Sequence, residues 1–375
     1  MTFEMINGKF MCNVKQICYE YIPQGWEAGK KNLITAVFLN YNSGAFVEKS
    51  VRSVLAQDCR PCEMLFMDDA SKDGSGSRME AIVRGYKGLH KVVVVRNNVN
   101  CGICGQWNRA VSLATGTWLG MFCGDDIAKA DRIRKVEDYI VAHPSLKGLC
   151  TSGEEFDSRT GQRLGGMSST WPEKLVCGKI DLGRKEEYDS PVIGATAFWH
   201  RDVFRYPIPY ARCDDVELRW ILQLLFRDES GPVWAWIPSI NAIDYMVGGG
   251  ITNSFRPNET SGSVGRCRFE MERQRRQAVI LTSSWNAVVA YYREHSAPIC
   301  YRRFAKERLI EYKWVAAGTL RRLVMIHNII WLLSAAPRKA LGLLVLSIRQ
   351  FFGIWVAALL TVGIKKVLRT GAEQL

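Results

Sequence analysis

Apolar and polar positions along the first 150 residues form blocks that predict strands and helices in turn. Continuous apolar runs, LITAVFLN at 33–40, KVVVV at 91–95 and WLGMFC at 118–123, are typical of strands buried on both faces. Between them, AFVEKSVRSVLAQ (45–57) and DRIRKVEDYIVAHP (131–144) carry apolar residues at helical spacing. This alternation predicts an α/β fold, with right-handed crossovers and a mostly parallel sheet flanked by helices.

The rest of the chain is less regular. Residues 1–32 show no clear period, so we expect an irregular arm. Between 150 and 255, short apolar runs and many Gly and Pro surround one helical segment, DVELRWILQLLF. The predicted domains are an arm at 1–32, an α/β domain at 33–255 with halves 33–130 and 131–255, a basic helical extension at 256–335 and an apolar segment at 336–375.

Polar loops follow the predicted strands: NYNSG, DDASKDG, NVNCG and GDD each begin where an apolar run ends. The carboxyl ends of parallel strands meet at one edge of the sheet, and open α/β sheets bind their ligands there. The order of the elements therefore predicts a binding site at this edge, before any single residue is considered.

Asp125 and Asp126 end the last of these strands. Adjacent carboxylates repel each other, and a divalent cation would relieve the repulsion because Mg²⁺ and Mn²⁺ prefer oxygen ligands. The alternative is an Asp-Asp turn that water solvates. The pattern indicates Asp125 and Asp126 as a candidate site for Mn²⁺ or Mg²⁺.

Basic residues are concentrated at the C-terminal end. The chain has 50 Lys and Arg against 37 Asp and Glu, and residues 256–375 hold 20 of the former and 7 of the latter, so this part carries the whole excess of +13. Because the same part is rich in Leu, Ile, Val and Trp, the pattern favours an anionic membrane surface over nucleic acid. The alternative is a basic helical surface in water.

The segment ALGLLVLSIRQFFGIWVAALLTVGI (340–364) is long enough to span a bilayer. Burying the charge of the central Arg349 in a bilayer is costly. Basic residues flank both ends of the segment, so their distribution does not predict which end would face the cytoplasm. We expect a helix lying in the membrane interface, with a single span as the alternative. No signal peptide is visible at the start. These features predict a cytoplasmic protein, peripheral at the inner face of the cytoplasmic membrane.

Two pairs among the twelve cysteines have CxxC spacing, Cys59/Cys62 and Cys101/Cys104. The first pair precedes a predicted strand and the second follows one, which places them at opposite ends of the sheet. They are then too far apart for one tetrahedral zinc site. Neither pair alone supplies enough ligands, so we predict reduced thiols in a reducing compartment and no zinc.

Six stretches together resemble one known family. VFLNYN, SVLAQ, MDDASKDGS, NVNCG, WNRAVSLATGTWLGMFCGDD and DRIRK occur in the order and spacing of the nucleotide-diphospho-sugar transferases of the GT-A fold, specifically family 2 glycosyltransferases. The resemblance continues more faintly through HPSLKG, GATAFWHRDVF and CDDVELRWIL to about residue 255. It implies a GT-A fold and an inverting transfer of a sugar from a nucleotide donor to an acceptor hydroxyl.

The resemblance also implies roles for particular residues. Asp69 would contact the nucleotide base and Tyr41 would stack on it, while Asp126, with Asp125, would bind the metal. The catalytic base would lie in the pair Asp214 and Asp215, with Asp215 favoured. The full set of residues implied to bind the nucleotide donor is Tyr41, Asp68, Asp69, Asn100, Gly102 and Asp125.

The same residues have structural alternatives. Asp68 and Asp69 lie in a stretch rich in Asp, Ser and Gly, where a helix N-cap or an Asx turn is common. Asp214 and Asp215 could simply cap the helix that follows them. The glycines of MVGGGITNSF (246–255) favour either a loop that closes over the ligands or a plain exit from the domain.

The resulting hypothesis is a metal-dependent glycosyltransferase that uses a nucleotide sugar, with a UDP-sugar favoured. Its acceptor would be a glycan or a lipid-linked intermediate of bacterial surface polysaccharide or lipopolysaccharide. The alternative is a catalytically inactive protein of the same fold that binds sugar nucleotides or serves as a scaffold. No GxGxxG follows the first strand and no GxxxxGK[ST] occurs, which disfavours a dehydrogenase or a phosphate-loop hydrolase.

Overall fold

The computed structural model describes residues 4–6, 9–11, 17–26, 33–167, 172–177, 192–204 and 229–247, together with isolated positions between 218 and 313. The chain divides into two compact units, residues 1–256 and 257–375. In the second unit the described positions are helical, and Ala305, Leu309 and Ile310 among them are buried.

The elements of the first unit follow the order expected for its α/β half. The strands are β1 (Glu4–Ile6), β2 (Lys9–Met11), β3 (Ile17–Tyr21), β4 (Ile34–Asn40), β5 (Glu63–Asp68), β6 (Lys91–Arg96), β7 (Trp118–Cys123), β8 (Ile127–Ala128), β9 (Gly148–Asp157), β10 (Arg163–Gly166), β11 (Lys174–Cys177), β12 (Phe198–His200) and β13 (Pro232–Val247). The helices are α1 (Val47–Leu55), α2 (Ser75–Arg84), α3 (Gly102–Leu113) and α4 (Arg132–Ala142), with 3₁₀ turns at Gly194–Thr196 and Arg201–Phe204.

Four strands form the parallel part of the main sheet, in the spatial order β7-β4-β5-β6. Every residue of β4 and β5 is buried, which is why both read as continuous apolar runs. Phe38 and Phe66 pack ring against ring between these strands, with centroids 5.3 Å apart. Removing either ring would cost about 3–5 kcal/mol in a core of this kind.

The sheet as a whole is mixed. β12 joins β7 to β9 through antiparallel pairing on both sides, and β13 then runs parallel to β9. β13 is 16 residues long, whereas the pattern VWAWIPS indicates only a short strand. Pro238 interrupts that pattern, but the register shifts between Ile237 and Asn241, so the proline sits in a bulge and the strand continues. The α/β architecture with flanking helices is confirmed.

The irregular arm expected at 1–32 is wrong for residues 17–21, which form β3. β3 pairs antiparallel with β6 at the edge of the main sheet. Its side chains rest on α2: the Arg84 guanidinium lies 4.8 Å from the Tyr19 ring centroid, and the rings of Tyr21 and Tyr86 meet edge to face at 5.9 Å. Because these contacts come from elsewhere in the chain, the local pattern ICYEY carries no clear strand signal.

No helix within the described part of the chain has the length and apolar character that crossing a bilayer requires. The predicted membrane segment at 336–375 lies outside the described residues, as does most of the predicted basic region.

Candidate active site

The carboxyl ends of the four parallel strands bring the predicted polar loops together. Asn40, the last residue of β4, donates a hydrogen bond to Asp68 at the end of β5 (2.7 Å). Asp68 also accepts from the hydroxyl (2.5 Å) and backbone N–H (3.2 Å) of Ser71. A Cβ on Gly76 would lie 2.4 Å from the Asp68 carboxylate, so only glycine lets α2 approach this closely. The buried Asp68 therefore shapes the turn after β5.

Asp69, one residue later, holds the start of α3. Its Oδ1 accepts from the Cys101 backbone N–H (2.9 Å), the Cys101 thiol (3.1 Å) and the Asn97 side-chain amide (2.8 Å), and its Oδ2 accepts from the Gly102 N–H (2.8 Å). A carboxylate offers about four acceptor positions. Three donors meet Oδ1 and one meets Oδ2, which leaves Oδ2 with capacity for one more donor.

Asn97 and Arg109 support the carboxylate of Asp69 at the start of α3, and the sequence patterns indicated neither residue. The Asn97 side chain accepts from the Arg109 guanidinium (2.8 Å) while it donates to Asp69. Both side chains are nearly inaccessible to solvent. Arg109 lies within the stretch WNRAVSLATG. A charged residue on a buried helix is unusual, and this feature of the sequence could have marked Arg109 as a candidate.

The other predicted donor residues lie at the same edge. Tyr41 follows β4 and is 38% exposed, so its ring is accessible to a ligand. Asn100 accepts a hydrogen bond from the Gly102 N–H (3.2 Å), and Gly102 has a positive φ of 72° that favours glycine. Asn42 and Ala70 also have positive φ, at 51° and 60°, so the backbone on either side of the site is strained.

Asp125 and Asp126 lie in a tight turn directly after β7, and Asp126 is only 6% exposed. Their carboxylate oxygens and the Cys123 sulfur lie within 4.8 Å of one another. Burial raises the pKa of Asp125. Burial and the negative charge of Asp125 raise the pKa of Asp126 well above its usual value. Two carboxylates are thus held together where water solvates them poorly.

Three groups, the Met246 N–H, Arg132 and the Cys123 side chain, favour the charged form of Asp126 without neutralising the pair. The Met246 backbone N–H, near the end of β13, donates to its Oδ1 (3.2 Å), and the positive charge of Arg132 acts in the same direction. No sequence pattern indicates Met246, because the contact uses only its backbone. Through this hydrogen bond, the last residues of the long strand β13 contact the predicted metal site.

Arg132 lies fully buried behind the turn. Its guanidinium donates to the carbonyl oxygens of Met121 (2.6 Å) and Ala195 (3.0 Å) and lies 4.0 Å from the Phe122 ring centroid. Burial lowers its pKa to about 10, so it stays positive at neutral pH. Arg132 ties β7 to the 3₁₀ turn at 194–196, a role the motif DRIRK did not reveal.

The donor set fits a divalent cation. Two adjacent carboxylates with raised pKa values, one buried and one partly buried, are the kind of oxygen ligands that Mg²⁺ and Mn²⁺ take, and a cation would remove their mutual repulsion. The solvated turn considered as the alternative is hard to reconcile with the burial of Asp126.

The predicted catalytic pair Asp214 and Asp215 lies outside the described residues, as do the glycines that follow Val247. Leu218, Arg219 and Leu222, which follow the pair in the sequence, are helical and buried. The structure therefore brings together the residues predicted to bind metal and nucleotide, and the roles of these residues and of the pair stay predictions.

We predict that Asp69→Asn destabilises the first unit by about 1–3 kcal/mol. An amide in place of the carboxylate turns one acceptor oxygen into an NH₂ group, so at least one of the four donors that meet Asp69 would face another donor instead of an acceptor. Urea unfolding measures the loss. Asp138→Asn on the exposed face of α4 is the matched control and should change stability by no more than about 0.5 kcal/mol. Equal effects of the two variants would contradict the holding role of Asp69.

Comparison with known families settles what kind of domain this is. Residues 35–204 match the family model Glycosyl transferase family 2. Residues 35–204 form a family 2 glycosyltransferase domain. The match covers β4 to β12, including the residues placed at the carboxyl edge, and it confirms the GT-A fold expected from the motifs.

Relatives of this family 2 domain are moderately similar. The chain is 27% identical over 164 residues to the putative teichuronic acid biosynthesis glycosyltransferase TuaG of Bacillus subtilis, covering 44% of the chain and 60% of TuaG. It is 26% identical over 181 residues to the putative glycosyltransferase EpsE of the same organism, covering 48% of the chain and 63% of EpsE. The matches thus span about three fifths of these relatives.

Solved structures resemble the chain at lower sequence identity. The crystal structure of S. aureus TarS 1-349 in complex with UDP-GlcNAc is 15% identical, with a TM-score of 0.47 over 75% of this chain and 72% of that one.

Proposed function

We propose that this protein transfers a sugar from a nucleotide diphosphate sugar to an acceptor hydroxyl, with inversion at the anomeric carbon. The observation that carries the proposal is the adjacent pair Asp125 and Asp126 at the carboxyl edge of the parallel strands, with Asp126 buried and Asp125 partly buried, within a family 2 domain. A buried pair of like charges costs stability, so it calls for a cationic ligand.

On the donor side, Asp126 and Asp125 would hold the Mn²⁺ or Mg²⁺. When bound, the ion neutralises negative charge that develops on the leaving diphosphate. Asp69 keeps one acceptor position on Oδ2, which suits an imide N–H such as that of uracil, and the accessible ring of Tyr41 suits stacking on the base. These features favour a UDP-sugar as donor.

On the acceptor side, Asp215 would take the proton of the attacking hydroxyl, with Asp214 beside it. The hydroxyl oxygen would attack the anomeric carbon from the face opposite the diphosphate, so the new bond forms with inversion. A positioned base of this kind contributes about 10²- to 10⁴-fold in rate.

The test is calorimetric titration of the full chain with UDP, GDP and dTDP, each with and without Mn²⁺. Binding of one nucleotide that requires Mn²⁺ supports the proposal, and release of UDP from a UDP-sugar in the presence of membranes would extend it to turnover. Absence of metal-dependent binding for all three nucleotides contradicts the proposal. Binding without any turnover would fit the inactive sugar-nucleotide-binding alternative.

The acceptor is proposed to be a glycan or a lipid-linked intermediate of bacterial surface polysaccharide or lipopolysaccharide. Two observations support this: the relative TuaG is a putative teichuronic acid biosynthesis glycosyltransferase, and residues 256–375 are both basic and apolar. A basic, apolar extension suits an anionic membrane surface, where the protein would lie at the inner face of the cytoplasmic membrane.

We predict that deleting residues 336–375 moves the protein from the membrane pellet to the supernatant of a cell lysate. The segment supplies most of the apolar surface proposed to contact lipid. A wash of wild-type membranes in high salt separates the alternatives, because screening weakens a peripheral contact and leaves a spanning segment in place. A truncated protein that still pellets would place the anchor elsewhere.

A further inference from the structure

Three metal-ligating side chains meet at the end of the sheet opposite the donor site. Cys62 precedes the first residue of β5, His90 precedes the first residue of β6, and Cys59 lies in the loop before Cys62. The two sulfurs are 3.9 Å apart, and the Cys62 sulfur lies 3.5 Å from His90 Nδ1. The ligand atoms of these three residues, the Cys59–Cys62–His90 cluster, all lie within 4.8 Å of one another.

These separations match a tetrahedral zinc ion. Bonds of about 2.3 Å to sulfur and about 2.0–2.1 Å to nitrogen, at tetrahedral angles, set the two sulfurs about 3.8 Å apart and a sulfur and a nitrogen about 3.5 Å apart. A disulfide would need a sulfur–sulfur distance of about 2.05 Å, so Cys59 and Cys62 are thiols in this structure.

The hydrogen bonds of His90 orient its ring as a ligand. The Cys62 backbone N–H donates to Nδ1 (3.3 Å), which makes Nδ1 the unprotonated nitrogen, and an ion bound to Nδ1 would replace this hydrogen bond. Nε2 therefore carries the proton and donates to the Gln57 carbonyl oxygen (3.3 Å). A ring N–H held by a backbone carbonyl is the usual support of a metal-binding histidine, because it fixes the tautomer and the ring plane.

We propose that the Cys59–Cys62–His90 cluster binds one Zn²⁺ ion, with a water molecule in the fourth position. Two thiols and an imidazole select a soft or borderline cation over Mg²⁺ or Mn²⁺. His90 is buried, whereas Cys59 is partly exposed and gives the ion a path from solvent. Each thiol that binds the ion gives its proton to the buffer.

The proposed site is separate from the donor site. β5 has six residues, so about 20 Å of strand separate the Cys59–Cys62–His90 cluster from Asp69 and the carboxyl edge. The ion would join the loop after α1 to the start of β6, two segments 28 residues apart at their closest ligands. The proposal revises the expectation from the sequence that neither CxxC pair binds zinc.

The test titrates the full chain, reduced with a phosphine and stripped of metal, with Co²⁺. Bound Co²⁺ is expected to show sulfur-to-metal charge transfer and the intense visible bands of tetrahedral geometry, saturating at about one ion per chain. Zn²⁺ should displace it and raise the melting temperature. Cys59→Ser and His90→Gln should each weaken Zn²⁺ binding by at least about 10-fold, and Cys59→Ser should also reduce the charge-transfer band.

Two controls separate this site from others. Cys177→Ser removes an exposed thiol outside the cluster and should leave the Co²⁺ spectrum unchanged. Asp126→Asn should likewise leave it unchanged, because the donor site is elsewhere. Co²⁺ bound without charge transfer, or a spectrum unaffected by Cys59→Ser, would overturn the proposal. So would a reduced chain that takes up no Zn²⁺ and forms a Cys59–Cys62 disulfide in air, since the pair would then be a redox pair.

Discussion

Asp126→Asn is expected to abolish metal-dependent binding of the nucleotide diphosphate. The substitution keeps the size of the side chain but removes the buried one of the two carboxylates that would hold the cation. Because a bound metal supplies several kcal/mol to a charged diphosphate, the affinity for UDP in the presence of Mn²⁺ should fall by at least about 100-fold. Calorimetric titration measures the affinity. The control Asp138→Asn, on the exposed face of α4, should bind UDP like the wild type.

The same variant should be more stable than the wild type when no metal is present, which distinguishes lost binding from misfolding. Burial and Asp125 raise the pKa of Asp126 in the folded chain. Such a group contributes stability that is fully present below its unfolded pKa of about 3.9 and is lost as the pH rises through the raised folded value. Asn does not titrate, so metal-free Asp126→Asn should lack this loss at neutral pH.

Unfolding in chelator over a range of pH values checks this second effect. The metal-free wild type should lose stability relative to Asp126→Asn as the pH rises from about 4 towards neutrality. Added Mn²⁺ should stabilise the wild type and leave the variant unchanged. A variant that is less stable than the wild type without metal would mean that the charge of Asp126 serves the fold through its attraction to Arg132, because an amide oxygen can still accept from the Met246 N–H.

Asp215→Ala is expected to reduce turnover by about 10²- to 10⁴-fold and to leave UDP binding nearly unchanged. A base that acts on the acceptor hydroxyl has no contact with the nucleotide in the proposed reaction. Release of UDP from the donor sugar measures turnover, and calorimetry measures binding. Asp214→Ala is the matched comparison and should have the smaller effect on turnover.

Other outcomes would reassign the pair. If Asp214→Ala has the larger effect on turnover, the base is the first acid of the pair. If Asp215→Ala weakens UDP binding as much as Asp126→Asn does, the residue belongs to the donor side. If both substitutions only lower the melting temperature, the two acids cap the helix that contains Leu218 and Leu222.

The parallel half of the fold could be predicted because its strands are buried on both faces. The apolar runs of β4 and β5 need no information from outside their own residues, and the polar loops that follow them mark the carboxyl edge. β3 and β13 could not be predicted in the same way. The contacts of β3 come from α2 and β6, and the bulge that accommodates Pro238 depends on the pairing with β9.

The side chains at the site also fall into those that a local sequence pattern predicts and those that depend on contacts from elsewhere in the chain. Asp69 and Asp126 follow strand ends, so their positions in the sequence were enough to bring them to one edge. Asn97 reaches Asp69 only because β5 and β6 are parallel neighbours in a particular register. That register also pairs Glu63 with Lys91 and so brings Cys62 beside His90. No local pattern contains that information.

The edge strand β3 has a practical consequence for work with fragments. The family match begins at residue 35, which invites an expression fragment that starts there. Such a fragment would lose β3 and expose the outer side of β6, where the apolar residues Val92–Val95 would face solvent with unpaired N–H and C=O groups. An open apolar edge of this kind recruits strands from other molecules and promotes aggregation. A soluble fragment therefore needs to begin before Ile17.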